Sequence, residues 1–142
     1  MKTTSIVIPC FNEAAAIQST VREIFLALEA NNSQSVEVIV VNDGSTDRSE
    51  YALKQLSEEL DTERFRIINH HRNLGYGAAL KSGIRRSNAE LICITDADGT
   101  YPNQRIPELI DMAENKDMVV GSRSGANVEY SRIRSIPKLI LV

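Results

Sequence analysis

Asp96 and Asp98, separated by Ala97, are the residues whose type and spacing speak most directly of chemistry. Residues two apart in extended chain point the same way, so this pair can offer two carboxylates to one hard cation such as Mg²⁺ or Mn²⁺. A cation held there can bridge to a diphosphate and, as a Lewis acid, offset the charge that gathers on a diphosphate leaving group. The alternative is an Asx-type turn, in which each aspartate satisfies nearby backbone.

Three further polar clusters accompany that pair: Pro9-Cys10-Phe11-Asn12-Glu13, Asn42-Asp43-Gly44-Ser45-Thr46-Asp47 and His70-His71-Arg72-Asn73-Leu74-Gly75. Asp43 is a good acceptor for a nucleobase N–H or a ribose hydroxyl, and Gly44 lets a ligand approach the backbone closely; Asn42-Asp43-Gly44 also reads as a plain turn. Gly75 and Gly77 precede a helical pattern whose free N–H groups can face a phosphate, with Lys81 one turn in. His70 and His71 are adjacent, unsuited to one metal from a strand, and read as loop residues.

Each cluster directly follows a short apolar run. Ser5–Ile8, Val36–Val41, Phe65–Ile68 and Leu91–Thr95 are strand-like and rich in β-branched residues. Between them lie helical patterns: one opening at Asn12 or Glu13 with Ile17, Val21, Ile24, Phe25 and Leu28 in a stripe, one carrying Leu53, Leu56 and Leu60 behind an Asp47/Glu50 capping box, and one from Gly77 to Ser87. Pro107 suits the first turn of a helix running to Asn115, and Met118–Val120 reads as a fifth strand. Strands alternating with helices predict βαβ units around a mostly parallel sheet, and such sheets bind ligands outside the carboxyl ends of their strands. Four polar clusters at four strand ends therefore predict one cleft.

The bulk properties agree. A chain of 142 residues, 42% hydrophobic, can bury roughly two thirds of the surface its unfolded form exposes. A net charge of −3 argues against a nucleic-acid binder, which needs a basic face, and leaves an anionic ligand dependent on a metal or on backbone N–H groups. Cys10 and Cys93 lack metal-ligand spacing and read as buried free thiols of a reducing, cytoplasmic compartment. The first apolar run is too short for a signal peptide, and no stretch approaches the about 20 apolar residues of a membrane span, so the chain reads as soluble. From Ser122 the pattern changes: Ile133, Ile136, Leu139 and Ile140 form a partly helical stripe among Arg132, Arg134 and Lys138. That stripe suits either an anionic membrane surface or a packed partner segment. The organisation expected is residues 1–123 as the ligand-binding domain and 124–142 as the start of an acceptor-side or membrane-proximal segment, cut short at Leu139-Ile140-Leu141-Val142.

Taken in order, Ile8-Pro9-Cys10-Phe11-Asn12-Glu13, Val41 to Asp47, Asn73-Leu74-Gly75-Tyr76-Gly77-Ala78-Ala79, Asp96-Ala97-Asp98-Gly99 and Gly121-Ser122-Arg123 resemble the family 2 glycosyltransferases of GT-A fold, a Rossmann-like α/β architecture. Asp98 to Pro102 and Ile133 to Lys138 look like the branch of dolichol-phosphate mannosyltransferases and polyprenyl-phosphate glycosyltransferases. The resemblance implies a nucleotide-diphosphate sugar donor, Mg²⁺ or Mn²⁺, and inversion at the anomeric carbon. It implies that Pro9, Asn12, Glu13, Asp43, Gly75, Lys81, Asp96, Ala97 and Arg123 bind the nucleotide sugar, and that Asp96 and Asp98 are catalytic and hold the metal. The acceptor implied is a polyprenyl phosphate or a cell-envelope glycan, and the longer protein would work at the cytoplasmic face of the membrane. An acceptor phosphate, ionised at neutral pH, needs little help from a base.

Two rival readings use the same residues. Leu91 to Thr100 also resembles the first motif of haloacid-dehalogenase-type phosphatases, with Asp96 as nucleophile and Asp98 as acid, but the 42 residues after Thr100 hold no adjacent acidic pair. The other rival is a non-catalytic nucleotide-sugar-binding module. A dinucleotide-dependent oxidoreductase fits less well, because the loop after the first strand has no glycine.

Overall fold

The computed structural model describes residues 2–60, 63–122 and 140–141. Four parallel strands form its centre: β1 (Thr4–Cys10), β2 (Val36–Asn42), β3 (Phe65–Asn69) and β4 (Leu91–Ile94), in the order β3-β2-β1-β4. The helices α1 (Ile17–Ala30), α2 (Ser49–Glu59) and α3 (Tyr76–Arg86) form the crossovers, and α4 (Ile106–Ala113) follows β4. The strands and helices expected between Ser5 and Val120 are present, with boundaries shifted by a few residues.

Strand periodicity sorts the core into two layers. Ile6, Ile8 and Cys10 of β1, Val36, Val38 and Val40 of β2, Phe65, Leu91 and Cys93 point to one face, where Ile17, Val21, Ile24, Phe25 and Leu28 of α1 and Leu53 and Leu56 of α2 meet them. The opposite face holds Val7, Ile39 and Val41 against Ala79 of α3. Each fully buried Val, Leu or Ile contributes about 1.5–3 kcal/mol, so the larger layer dominates the fold's stability.

Three local expectations change. α1 begins at Ile17 rather than at Asn12 or Glu13, because Asn12 adopts a left-handed conformation with φ 53°, which cannot start a right-handed helix. The Asp47/Glu50 capping box does not form: Arg48 occupies the cap position, while Asp47 Oδ1 accepts from the Ser49 N–H at 2.8 Å and Oδ2 from the Ala14 N–H at 3.2 Å. β5 (Met118–Val119) does not extend the parallel sheet but pairs antiparallel with β6 (Ile140–Leu141), which itself lies beside β4. Ile140, expected in a helical stripe, is thus in a strand. The rest of that stripe, with Ile133, Ile136 and Leu139, lies outside the described residues, as do Arg123 and nearly all of the segment expected at 124–142. Among the described residues no helix is long and apolar enough to cross a membrane.

The closeness of α3 to the sheet yields a test with two signs. A Cβ at Gly83 would overlap Val7 Cγ1, whereas one at Gly77 meets nothing within 4 Å. Gly83→Ala is expected to destabilise the fold, since overpacking costs about 1–3 kcal/mol against a helix-propensity gain of up to about 1 kcal/mol. Gly77→Ala is expected to stabilise by about 0.5–1 kcal/mol. Urea unfolding of both variants checks this, and equal signs would contradict the packing described.

Candidate active site at the carboxyl edge of the sheet

The strand ends are level. Cys10 pairs with Asn42 and Asn42 with Asn69, so β1, β2 and β3 release their loops side by side. β4 stops earlier, at Ile94 opposite Val7, and continuing that register sets Asp96 level with Pro9. The four polar clusters therefore share one edge, as the sequence predicts.

Hydrogen bonds then stitch each loop to the next. Asn12 Oδ1 accepts from the N–H groups of Thr46 at 2.8 Å and Asp47 at 3.2 Å, and the Asn12 N–H donates to Ser45 Oγ at 3.1 Å. The Glu13 N–H donates to the buried Ser49 Oγ at 2.9 Å. Gly44, at φ 67°, takes the backbone of Arg72 and Asn73 where a Cβ would overlap both. On the other side, Thr20 Oγ1 of α1 donates to the Ala97 carbonyl at 3.1 Å, and Thr95 Oγ1 donates to Asn103 Oδ1 at 2.9 Å.

The aspartate pair is presented by a turn rather than by extended chain. Residues 97–98 form the turn, and Ala97 is buried while Asp96 and Asp98 are each partly exposed. Asp98 Oδ1 accepts from the Thr100 N–H at 3.0 Å and from Thr100 Oγ1 at 2.7 Å, so the Asx turn weighed as an alternative is present and orients that carboxylate. Half-buried Glu13 faces the same place: burial raises its carboxyl pKa, and the charges of Asp98, Asp47 and Asp96 raise it further. Among the described residues no group of three His, Cys, Asp or Glu forms a ready metal cage. Hard carboxylate oxygens at an acidic edge nevertheless suit Mg²⁺ or Mn²⁺, because Mg²⁺ keeps several waters and takes one or two carboxylates plus substrate phosphates.

The remaining expected site residues divide. Pro9 is half-buried at the edge and Gly75, at φ 96°, caps the start of α3, so both border the cleft. Asn12 is engaged with the neighbouring loop, as above. Asp43 is only 3% exposed, and its oxygens serve protein donors: Oδ1 meets His70 Nδ1 at 2.7 Å and the Leu74 N–H at 2.9 Å, and Oδ2 accepts from the Gly75 N–H at 2.9 Å. Both oxygens therefore organise the loop that leads into α3. Lys81 is exposed and lies about 200° around α3 from Ala79, which faces the sheet, so the helix turns it outward. His70 is a loop residue, as the sequence predicts, directly after β3, and there it is packed between Asp43 and Ser82, whose Oγ lies 2.7 Å from its Nε2. The register could have revealed it, because Asn42 opposite Asn69 places Asp43 beside His70. Burial pushes the Cys10 thiol up to about 11 and that of Cys93 up to about 12, which keeps both as core groups rather than nucleophiles.

The family model for Glycosyl transferase family 2 matches residues 5–139. The chain belongs to glycosyltransferase family 2. An undecaprenyl-phosphate 4-deoxy-4-formamido-L-arabinose transferase of Photorhabdus laumondii is 33% identical to it over 141 residues, 99% of this chain and 42% of that protein. Its namesake from Salmonella choleraesuis is 33% identical over 122 residues, 86% of this chain and 37% of the relative. This family 2 chain thus spans about two fifths of the length of those relatives. Its fold is GT-A. The mannosyltransferase PcManGT from Pyrobaculum calidifontis, in complex with GDP-Man and Mn²⁺, superposes with a TM-score of 0.72 at 22% identity, covering 82% of this chain and 33% of that one. S. aureus TarS 1-349 in complex with UDP-GlcNAc gives 0.71 at 18% identity, covering 90% and 36%.

The two kinds of carboxylate at this edge predict opposite responses to pH. Burial pushes the Asp43 pKa up, but the His70 hydrogen bond and the N–H groups of Leu74 and Gly75 outweigh it and hold the carboxyl below its usual range. Its stabilisation is complete above the unfolded pKa of about 4 and is lost as pH falls through the lower folded value. Glu13 has the reverse sign, because its folded pKa is raised: the stability it gives as a neutral group is present below about 4.3 and is lost as pH rises through the folded value. Glu13→Gln is therefore expected to raise stability at pH 7 by up to about 1 kcal/mol, with the gain vanishing in acid. Asp43→Asn is expected to lower it by about 1–3 kcal/mol, with the deficit shrinking in acid. Urea unfolding across a pH series measures both; a destabilising Glu13→Gln at pH 7 would remove the repulsion argued here.

Proposed function

We propose that this chain supplies the donor side of an inverting, metal-dependent glycosyltransferase that passes a sugar from a nucleotide diphosphate to a polyprenyl phosphate. The observation that carries it is the convergence of Glu13, Asp96 and Asp98 at the carboxyl edge of a GT-A sheet whose loops are cross-bonded into one rim. The names of its relatives, transferases of undecaprenyl phosphate, support the acceptor class. The Mn²⁺ and GDP-Man bound to PcManGT support the donor and metal classes.

Asp96 and Asp98 would hold Mg²⁺ or Mn²⁺, which when bound would offset charge on the departing diphosphate. Asp98 is kept in position for this by Thr100, and the turn beneath it by Thr20 through the Ala97 carbonyl. Pro9 and Gly75 would border the nucleoside, with Asp43 and Asn12 shaping that border from behind. Arg123 is proposed for the diphosphate on family resemblance alone. A lipid-borne acceptor would put the reaction at a membrane surface, proposed as the cytoplasmic face.

Asp98→Asn tests the metal role cleanly, because an amide oxygen at 98 still accepts from Thr100 and keeps the turn. Calorimetric titration with UDP and with GDP is expected to show Mn²⁺-dependent binding of at least one of them. Asp98→Asn is expected to weaken that binding about tenfold to a hundredfold, with an unchanged melting temperature in chelator. Equal affinity in Mn²⁺ and in excess chelator would overturn the proposal.

A further inference from the structure

Asp43, His70 and Ser82 form a continuous chain: Asp43 Oδ1 to His70 Nδ1 at 2.7 Å, then His70 Nε2 to Ser82 Oγ at 2.7 Å. The connectivity is that of a hydrolase triad, but the surroundings are not. Ser82 sits inside α3, where neighbouring N–H groups are engaged in helix bonds, so no pair of donors is available to an oxyanion. What the chain does touch is the segment between β3 and α3. Asp43 accepts from Leu74 and Gly75, the residues that lead into α3, and Gly44 holds Arg72 and Asn73 against β2's own loop.

We infer that His70 is a positioning residue for donor binding: by bridging Ser82 on α3 to Asp43 on the β2 loop, it fixes the 71–75 segment as a preformed wall of the donor cleft. The inference rests on the glycosyltransferase reading for the ligand, but not for the geometry. An ionised Asp43 has no proton to give, so Nδ1 donates to it, while Nε2 lies within hydrogen-bond distance of the Ser82 hydroxyl. With its orientation fixed at both nitrogens, the imidazole holds the Asp43 carboxylate in the one rotation that also receives two consecutive N–H groups. His70 is itself anchored by its own N–H, which donates to the Asn42 carbonyl at 2.9 Å and extends the β2–β3 ladder by one step. A loop held this way loses little freedom when a ligand arrives, which raises affinity without a direct contact.

The two ring nitrogens can be replaced separately. An asparagine amide reaches about where Nδ1 lies, and a glutamine amide about where Nε2 lies, so His70→Asn keeps the bond to Asp43 while His70→Gln keeps only the one to Ser82. Hydrogen exchange of the chain without ligand, read on a peptide covering 72–77, is combined with calorimetry against UDP and GDP in Mn²⁺. His70→Gln is expected to speed exchange at 72–77, with other peptides unchanged, and to weaken nucleotide binding by about tenfold or more; His70→Asn is expected to restore most of both. Unaltered exchange in His70→Gln, or altered exchange with unaltered affinity, overturns the inference while leaving the glycosyltransferase reading intact. Equal losses in His70→Asn and His70→Gln also overturn it, since a packing role does not distinguish the two nitrogens. A wild-type chain that binds neither nucleotide overturns the glycosyltransferase reading and this inference with it, whatever the exchange pattern.

Discussion

The carboxyl edge of the sheet depends on hydrogen bonds made from one loop to the next, and those of Asn12 tie the β1 loop to the β2 loop. Where β1, β2 and β3 end in register, the ladder runs one step further, through the Asp43 N–H to the Cys10 carbonyl at 2.8 Å and the His70 N–H to the Asn42 carbonyl at 2.9 Å, and then gives way to loops. Beyond the ladder Asn12 turns left-handed, an arrangement its short amide side chain tolerates better than most. From there its Oδ1 receives the N–H groups of Thr46 and Asp47. Each such bond is worth only about 0.5–1.5 kcal/mol net. Their effect comes from order: the β1 loop binds the β2 loop, Asp43 and Gly44 bind the β3 loop, and Thr20 binds the β4 turn from below. No loop at this edge is positioned by its own strand alone.

That arrangement explains which parts of the molecule were legible in the sequence. The sheet and helices follow from periodicity, because Ile6, Ile8, Val38 and Val40 must share one face and Val7, Ile39 and Val41 the other. The common edge followed too, since parallel crossovers leave every polar cluster at the same strand ends. What could not be read were partners chosen across loops. Asp47 has the spacing of a capping box with Glu50, yet it bonds Ser49 and Ala14, because the β1 loop arrives within reach of its second oxygen. Asp43 has the chemistry of a ligand acceptor, yet two N–H groups and an imidazole reach it first. Lys81 has a plausible distance from Gly75 along the chain, but the helix phase set by Ala79 and Gly83 turns it away. Such partners and directions are fixed by tertiary contact, which residue type and spacing along the chain do not carry.

The edge consequently holds two populations of carboxylate. Asp43 and Asp47 are held below the usual carboxylate range: for Asp43 the His70 bond and backbone N–H groups outweigh burial, and for Asp47 the Ser49 hydroxyl and the backbone do so. These two are internal fasteners, and their charges are largely satisfied within the protein. Glu13 is raised, by burial and by the acids around it, so its neighbourhood is short of positive charge. The fold tolerates this because the larger core layer, with a dozen or more buried aliphatic and aromatic side chains, outweighs a local electrostatic cost of this size.

The same imbalance constrains what can bind. Two unit charges about 4 Å apart repel by roughly 1 kcal/mol in water and roughly 4 kcal/mol at the effective dielectric of a protein surface. A bare diphosphate entering beside Glu13, Asp96 and Asp98 would meet several such terms at once. The net charge of −3 offers no long-range compensation. A divalent cation held by Asp96 and Asp98, as the proposed function has it, would offset that repulsion. Under the proposed function the acidic rim is therefore a selective device: it rejects the free anion and admits the anion together with its metal. On that reading the bonds from Thr20 to the Ala97 carbonyl and from Thr100 to Asp98 would hold the carboxylates together for the cation.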